Sequence, residues 1–169
     1  ISIVLALILL WYIKPFNIVI LGRDARPWQP LKGSRSDTII LINVNPILAK
    51  IKIVSIPRDS YTLIDCEKGG KVDKITHALA FGGPSCSVRA LENMLNTKIQ
   101  YSVLLRFEDL INLTTIVDGV DIVSNHTFTQ DNESFVKGTA YTVQGPRALA
   151  YARHRKTDSD FKRGDRQKQ

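Results

Sequence analysis

The chain has 169 residues, 44% of them hydrophobic and 23% charged. That is ordinary for one globular domain with a real core, too short for two full ones, and unlike a disordered chain. Lys and Arg number 23 against 16 Asp and Glu, a net charge of +7 with a sequence pI near 9.5. The favoured partners are therefore acidic: nucleic acid, anionic lipid headgroups or phosphorylated substrates.

The chain opens on "ISIVLALILLWYIKP", an unbroken apolar run from Ile1 to Ile13 followed by Lys14 and the helix-breaking Pro15. As a helix the run spans about 20 Å, short of a hydrocarbon core of roughly 30 Å. The sequence starts at Ile, so further residues are expected upstream. Trp11, Tyr12 and Lys14 are the amphipathic and snorkelling types found at a membrane interface, and residues 1–14 read as the end of a transmembrane anchor. A signal-peptide core is the alternative, but no small-x-small cleavage site follows it; a buried core helix would be unusual with no polar face.

After Pro15, "FNIVILG" reads as a buried strand and "GRDARPWQPLKGSR" as a loop. "SDTIILINVN", the turn "PILA" and "KIKIVSIPRD" predict an antiparallel hairpin whose second strand Pro57 ends, leaving Arg58 and Asp59 at its tip. Asp73 to Phe81 and Ser85 to Leu95 read as helices, the second capped by Ser85 with Val88, Leu91 and Leu95 on one face. "IQYSVLLRF" is a strand, "EDLINLTTIVDGV" a helix stopped by Gly119, and "GVDIVS" a short strand. "GPRALAYAR" is a helix with Pro146 in its first turn and Arg153 at its end. Interleaved strands and helices predict an α/β fold, a mixed central sheet with helices packed on it, over residues 15–169.

Cys66 and Cys86 are the only cysteines. In an exported domain they are either a disulfide, closing a loop worth roughly 3 kcal/mol, or two buried thiols. With three scattered His, no zinc site is expected.

Asp24, Arg35, Asp37, Arg58 and Asp59 fall at strand ends and loops, where sites gather. If the first two strands are neighbours, the Asp24 and Asp37 carboxylates reach one point and, with substrate phosphate oxygens, suit magnesium. Each Asp alone equally well caps a turn. Arg35, Arg58, Arg153 and Arg155 supply forked donors that stay charged and grip two oxygens at once, as pyrophosphate requires. Between Ala152 and Gln169 stand seven Lys or Arg against three Asp. A helix starting near Asp160 sets Asp160, Arg163 and Gln167 at i, i+3 and i+7 on one face. A solvated tail needs no such register.

Six stretches, "NIVILGRDAR", "RSDTIILINVNP", "VSIPRDSY", "DKITHALAFGG", "ALAYARHR" and "DFKRGDRQ", together resemble the LytR-CpsA-Psr domain, in family order from Asn17 to the last residue. The resemblance implies a central sheet with helices on both faces and an apolar tunnel for a polyprenyl chain. It implies a single-pass enzyme on the outer face of the bacterial plasma membrane. Such enzymes move a glycopolymer (teichoic acid, capsular or other secondary wall polysaccharide) from a polyprenyl pyrophosphate carrier to a peptidoglycan hydroxyl, making a phosphodiester with Mg2+. By motif position, Asp24 and Asp37 are the implied magnesium ligands. Arg35, Arg58, Arg153 and Arg155 bind pyrophosphate and offset charge on the transferred group, and Asp160, Arg163 and Gln167 line the same site. Asp160 is the candidate acceptor for the hydroxyl proton, against a structural salt bridge. Lys74 is a candidate phosphate contact and His77 is read as helix packing. "VDGV" stands where Gly-Gly-Val is common and "KIT" where Lys-Ile-Asn is common, and the family domain is expected to continue past Gln169.

Two rival functions stay open: a non-catalytic membrane-proximal module for polyanions or anionic lipid, which needs the Arg residues but not the Asp pair, and a polyprenyl pyrophosphate hydrolase with water as acceptor. Nucleic-acid binding is disfavoured by the apolar start and by the lack of helix-turn-helix or zinc-finger spacing. "RGD" at Arg163 to Asp165 and the Asn-x-Ser/Thr triplets at Asn112, Asn125 and Asn132 are read as chance.

Overall fold

A computed structural model describes residues 14–23, 33–66 and 70–154. These fall into two compact units, one comprising the described residues up to 104 and the other residues 105–154. The anchor assigned to residues 1–14 lies outside the described residues except for Lys14. Among the described residues no helix is long and apolar enough to cross a membrane.

The first unit is built on a sheet with strand order β3-β2-β1-β6. Strand β1 (Phe16–Arg23) pairs antiparallel with β2 (Ser36–Asn45), and β2 pairs antiparallel with β3 (Lys50–Ser55), the hairpin expected from sequence. Alternation puts Val19, Leu21 and Ile39 on one buried face, where they meet Leu79, Ala90 and Leu91 of helix α1 (Ala78–Leu95). Burial of each large aliphatic contributes about 1.5–3 kcal/mol. Helix α1 is broken at Gly82 and Gly83, so Pro84 sits in the first turn of its second part, one residue ahead of the expected cap Ser85. The unit closes with β6 (Tyr101–Leu105).

The expected helix over Asp73 to Phe81 is corrected in its first half. Residues Lys71–Lys74 form β5, paired antiparallel with β4 (Tyr61–Ile64), followed by a 3-10 turn at Ile75–His77. The Asp73 carboxylate supplies the local reason, because its Oδ1 accepts the Lys74 N–H at 2.8 Å and competes with a helical path. The same carboxylate meets His77 Nδ1 at 2.9 Å and Lys71 Nζ at 3.1 Å. The backbone N–H of Lys74 first, then Lys71 and His77, hold its pKa down from 3.8 to about 2.

Of the two readings open for the cysteines, the structure adopts the disulfide: Cys66 joins Cys86, with Cα atoms 5.4 Å apart, and fastens the end of β4 to α1. Gly82 permits the approach, since a Cβ there would stand 2.8 Å from the Cys86 Cβ and 3.1 Å from the Cys66 Cβ.

The second unit runs α2 (Phe107–Ile116), β7 (Val120–Val123), β8 (Phe128–Gln130), β9 (Glu133–Phe135), β10 (Ala140–Val143) and α3 (Gly145–Arg153). Arg106 opens α2 by donating its backbone N–H to Asp109 Oδ2 at 2.8 Å. The helix ends where Gly119 was expected to stop it, at φ +99, and a Cβ at Gly119 would lie 2.7 Å from Thr142 Cγ2. Asp118, where the resemblance leads one to expect glycine, is also left-handed at φ 58. β7 pairs with β10 and β8 with β9. The β8–β9 turn, Asp131 and Asn132 at φ 51 and 66, has the two positive φ values of a tight hairpin, formed here without the usual glycine. Phe128, Phe135 and Tyr151 form its aromatic core.

Two outcomes are expected. Cys86→Ser should lower unfolding free energy by about 3 kcal/mol in a denaturant titration, matching the loss on reducing the parent protein. A depressed folded-state pKa contributes stability that is full above the unfolded value and lost as pH falls through the folded one. Asp73→Asn should therefore lower Tm near neutral pH and flatten its decline between about pH 4 and 2, measured by thermal melts.

Candidate functional site

The polar end of the first unit is set by strand register. Arg23, the last residue of β1, lies opposite Ser36, the first of β2, across a shift in register after Gly22. Arg23 and Ser36, the residues preceding Asp24 and Asp37, are thus partners, and Asp24 itself lies outside the described residues. β3 ends beside the same place: Ser55 pairs with Ile40, and Ile56 donates its N–H to Ile39 O at 2.8 Å. Pro57 then ends the strand and delivers Arg58.

Four charges alternate across this end. Arg58 Nη1 donates to Asp37 Oδ1, and its Nε lies 3.5 Å from Asp59 Oδ2. Asp59 Oδ1 accepts from Lys74 Nζ at 2.7 Å. The hydrogen bond from Lys74 lowers the Asp59 pKa, and Asp59 raises that of Lys74. These ion pairs are partly solvated, so each contributes little to stability. Their effect is positional: two cationic heads are held in place by carboxylates at one end of the strands.

Thr76 fastens the elements that carry this chain of charges. It is buried, its backbone N–H donates to Arg58 O at 3.1 Å and its Oγ1 donates to Ser36 O at 2.9 Å. One residue thereby grips the residue before Asp37 through its side chain and the backbone of Arg58 through its own backbone. Ile75 N–H adds a bond to Ser60 O at 2.8 Å. The departure from Lys-Ile-Asn at "KIT" thus falls on a residue whose hydroxyl makes a defined contact.

Of the sequence-selected residues, Asp37, Arg58 and Lys74 come together, with Asp59 between the cations. Arg35 is exposed at the approach to β2, two positions before Asp37. Arg153 belongs to the second unit, where it ends α3, stacks 4.6 Å over the Phe107 ring and lies 3.6 Å from Asp131 Oδ2. Asp24, Arg155, Asp160, Arg163 and Gln167 lie outside the described residues. His77 packs 6.0 Å from Phe81, in line with the packing reading, and also bonds Asp73. Sequence reasoning passed over Thr76 and Arg23. Arg23 is buried at the end of β1, and its signal was a charge closing an apolar strand. Among the described residues no three His, Cys, Asp or Glu cluster as a metal site.

Comparison with known proteins places this geometry in context. The chain is 44% identical over 158 residues to the polyisoprenyl-teichoic acid–peptidoglycan teichoic acid transferase TagU of Bacillus anthracis, covering 92% of this chain and 50% of that one. It therefore spans about half the length of the curated relatives it matches. Its fold resembles the crystal structure of B. subtilis TagV, with TM-score 0.80 and 34% identity over 93% of this chain and 62% of that one. It also resembles the LytR-CPS2A-psr family protein YwtF (TagT) with bound octaprenyl pyrophosphate lipid, with TM-score 0.72 and 30% identity over 92% of this chain and 61% of that one. The α/β fold with its central sheet is the one those structures share. The LytR_cpsA_psr family model matches residues 11–169, and the chain belongs to that family.

Proposed function

We propose that the chain is the catalytic part of a membrane-anchored phosphotransferase on the outer face of a bacterial plasma membrane. It moves a glycopolymer from a polyprenyl pyrophosphate carrier to a peptidoglycan hydroxyl. The observation that carries this reading is the pairing of Arg58 with Asp37 across two strand ends, in a chain similar to transferases named for polyisoprenyl-teichoic acid and peptidoglycan. A diffuse basic surface does not need a carboxylate at its centre.

In this reading Arg35, Arg58, Arg153 and Arg155 bind the pyrophosphate, with Arg163, Gln167 and Lys74 lining the site. The acceptor oxygen attacks the sugar-linked phosphorus while the bond from that phosphorus to the bridging oxygen breaks. The electron pair leaves with polyprenyl monophosphate, a phosphodiester forms, and Asp160 takes the hydroxyl proton. Arg58 matters because negative charge builds on the bridging oxygen, and a fixed guanidinium stabilises it without reorganising. Asp37 offers a hard oxygen donor beside phosphate-binding cations, which fits magnesium's habit of taking one or two carboxylates plus phosphates and water. Asp37 with Asp24 would hold it, and magnesium supplies further neutralisation of the pyrophosphate oxygens when bound.

Release of polyprenyl monophosphate from a polyprenyl pyrophosphate-linked sugar, with peptidoglycan fragments present, tests the reading. Turnover should need magnesium and fall roughly a hundredfold or more in Arg58→Lys, which keeps charge but loses the fork. Asp37→Asn should abolish the magnesium-dependent turnover. Binding without turnover, unchanged in Asp37→Asn, sinks the transferase in favour of a binding module, and release that ignores the acceptor makes it a hydrolase.

Thr76→Val should cost about 1 kcal/mol of stability through the lost hydroxyl bond. It should also lower kcat/KM roughly tenfold by loosening Ser36, and with it the neighbouring Asp37 that holds Arg58. Thr76→Ser should restore both. Ile64→Val, a core change of similar cost in the same unit, should leave kcat/KM alone, and equal activity losses in the two would make Thr76 merely structural.

A further inference from the structure

The end of the first unit opposite Asp37 has a different character. The β2–β3 turn carries Ile47 and Leu48 at 55% and 60% exposure. It is held outward by Leu48 N–H on Asn45 Oδ1 at 3.1 Å and Ala49 N–H on Pro46 O at 3.3 Å. Register aligns Phe16, Val44 and Ile51 in one row next to that turn, and Ile51 is 67% exposed. Tyr101, 60% exposed, sets its ring edge-on to Phe16 at 5.6 Å. Asn17 fixes the lead-in to β6 at the same end, donating to Lys98 O at 2.6 Å and to Gln100 Oε1 at 2.7 Å. Lys14, Lys50, Lys52 and Lys98 fall at the same end of the strands, Lys50 and Lys52 alternating with Ile51 along β3, and Lys98 pairs with Glu92.

Exposed aliphatics at a turn tip, an exposed tyrosine and several lysines at the same end are the composition of a surface that meets lipid headgroups. The chain supplies the direction. Only Lys14 and Pro15 separate the apolar run ending at Ile13 from Phe16, and two residues reach at most about 7 Å. If residues 1–14 are the anchor, the Phe16 end of the sheet cannot stand away from the bilayer.

We propose that this end of the unit rests on an anionic bilayer surface, with Ile47 and Leu48 among the upper acyl chains, Tyr101 at headgroup level and the lysines over lipid phosphates. The inference depends on the anchor reading above and adds a second, independent contact to it. The lysine heads gain from anionic lipid and lose that gain to salt.

The test compares the full chain with its Leu48→Trp variant in phosphatidylcholine vesicles with and without phosphatidylglycerol, using lipids brominated near the top of the acyl chain. The difference in emission isolates the added tryptophan, and flotation reports membrane association. Most of the added emission should be lost in anionic brominated vesicles, less so without phosphatidylglycerol. Flotation with no loss of the added emission overturns the contact while the anchor stands. Neither flotation nor quenching overturns both. Emission shifted to the blue but insensitive to bromine assigns the tip to a second copy of the chain and overturns the lipid contact.

Discussion

The register between β1 and β2 is the constraint on which the rest of the first unit depends. Leu21 faces Ile39, so the apolar alternation of both strands points to the same side and can be covered by α1. A slip of one residue would turn Val19 and Leu21 to the opposite face and expose the core. The same register brings Arg23 to Ser36, and with Ser36 its neighbour Asp37, to one end of the strands. Packing energy thus fixes the position of groups that contribute little to packing themselves.

At that edge, charge is arranged and not merely accumulated. A strongly basic chain risks self-repulsion where guanidiniums and ammoniums converge. Here Asp37, Arg58, Asp59 and Lys74 alternate, so each cation is held by a carboxylate. The Thr76 hydroxyl secures the frame beneath them through a buried bond, which is worth more in position than in stability. At the other end of the same strands the sequence turns to exposed aliphatics, tyrosine and lysine. One sheet therefore separates a charged, polar end from an amphipathic one.

Much of this was legible in the chain. The β1, β2 and β3 strands, the turn at Pro46, the stop at Gly119 and the Pro146 helix carry local signals that depend on backbone preference and alternation, and they stand where those signals put them. The six motif stretches pointed to the family that the comparison establishes. The β4–β5 hairpin was not legible, because "KVDK" has no strong strand propensity and becomes a strand by pairing with Tyr61–Ile64. The β8–β9 turn was missed for a related reason: Asp-Asn gives a weaker turn signal than Asn-Gly.

By itself the sequence determined the α/β character, the apolar start, the basic balance and the candidate residues Asp37 and Arg58, since each rests on residue type and local order, while Lys74 came from the family resemblance. Tertiary structure alone decided that Asp59 stands between Arg58 and Lys74, that Thr76 holds Ser36 and Arg58 together, and that Cys66 meets Cys86. Apart from the neighbours Arg58 and Asp59, those contacts join residues 15 to 40 positions apart. No local propensity encodes them; they follow from which strands pair, in which register, and where the helix comes to rest on them.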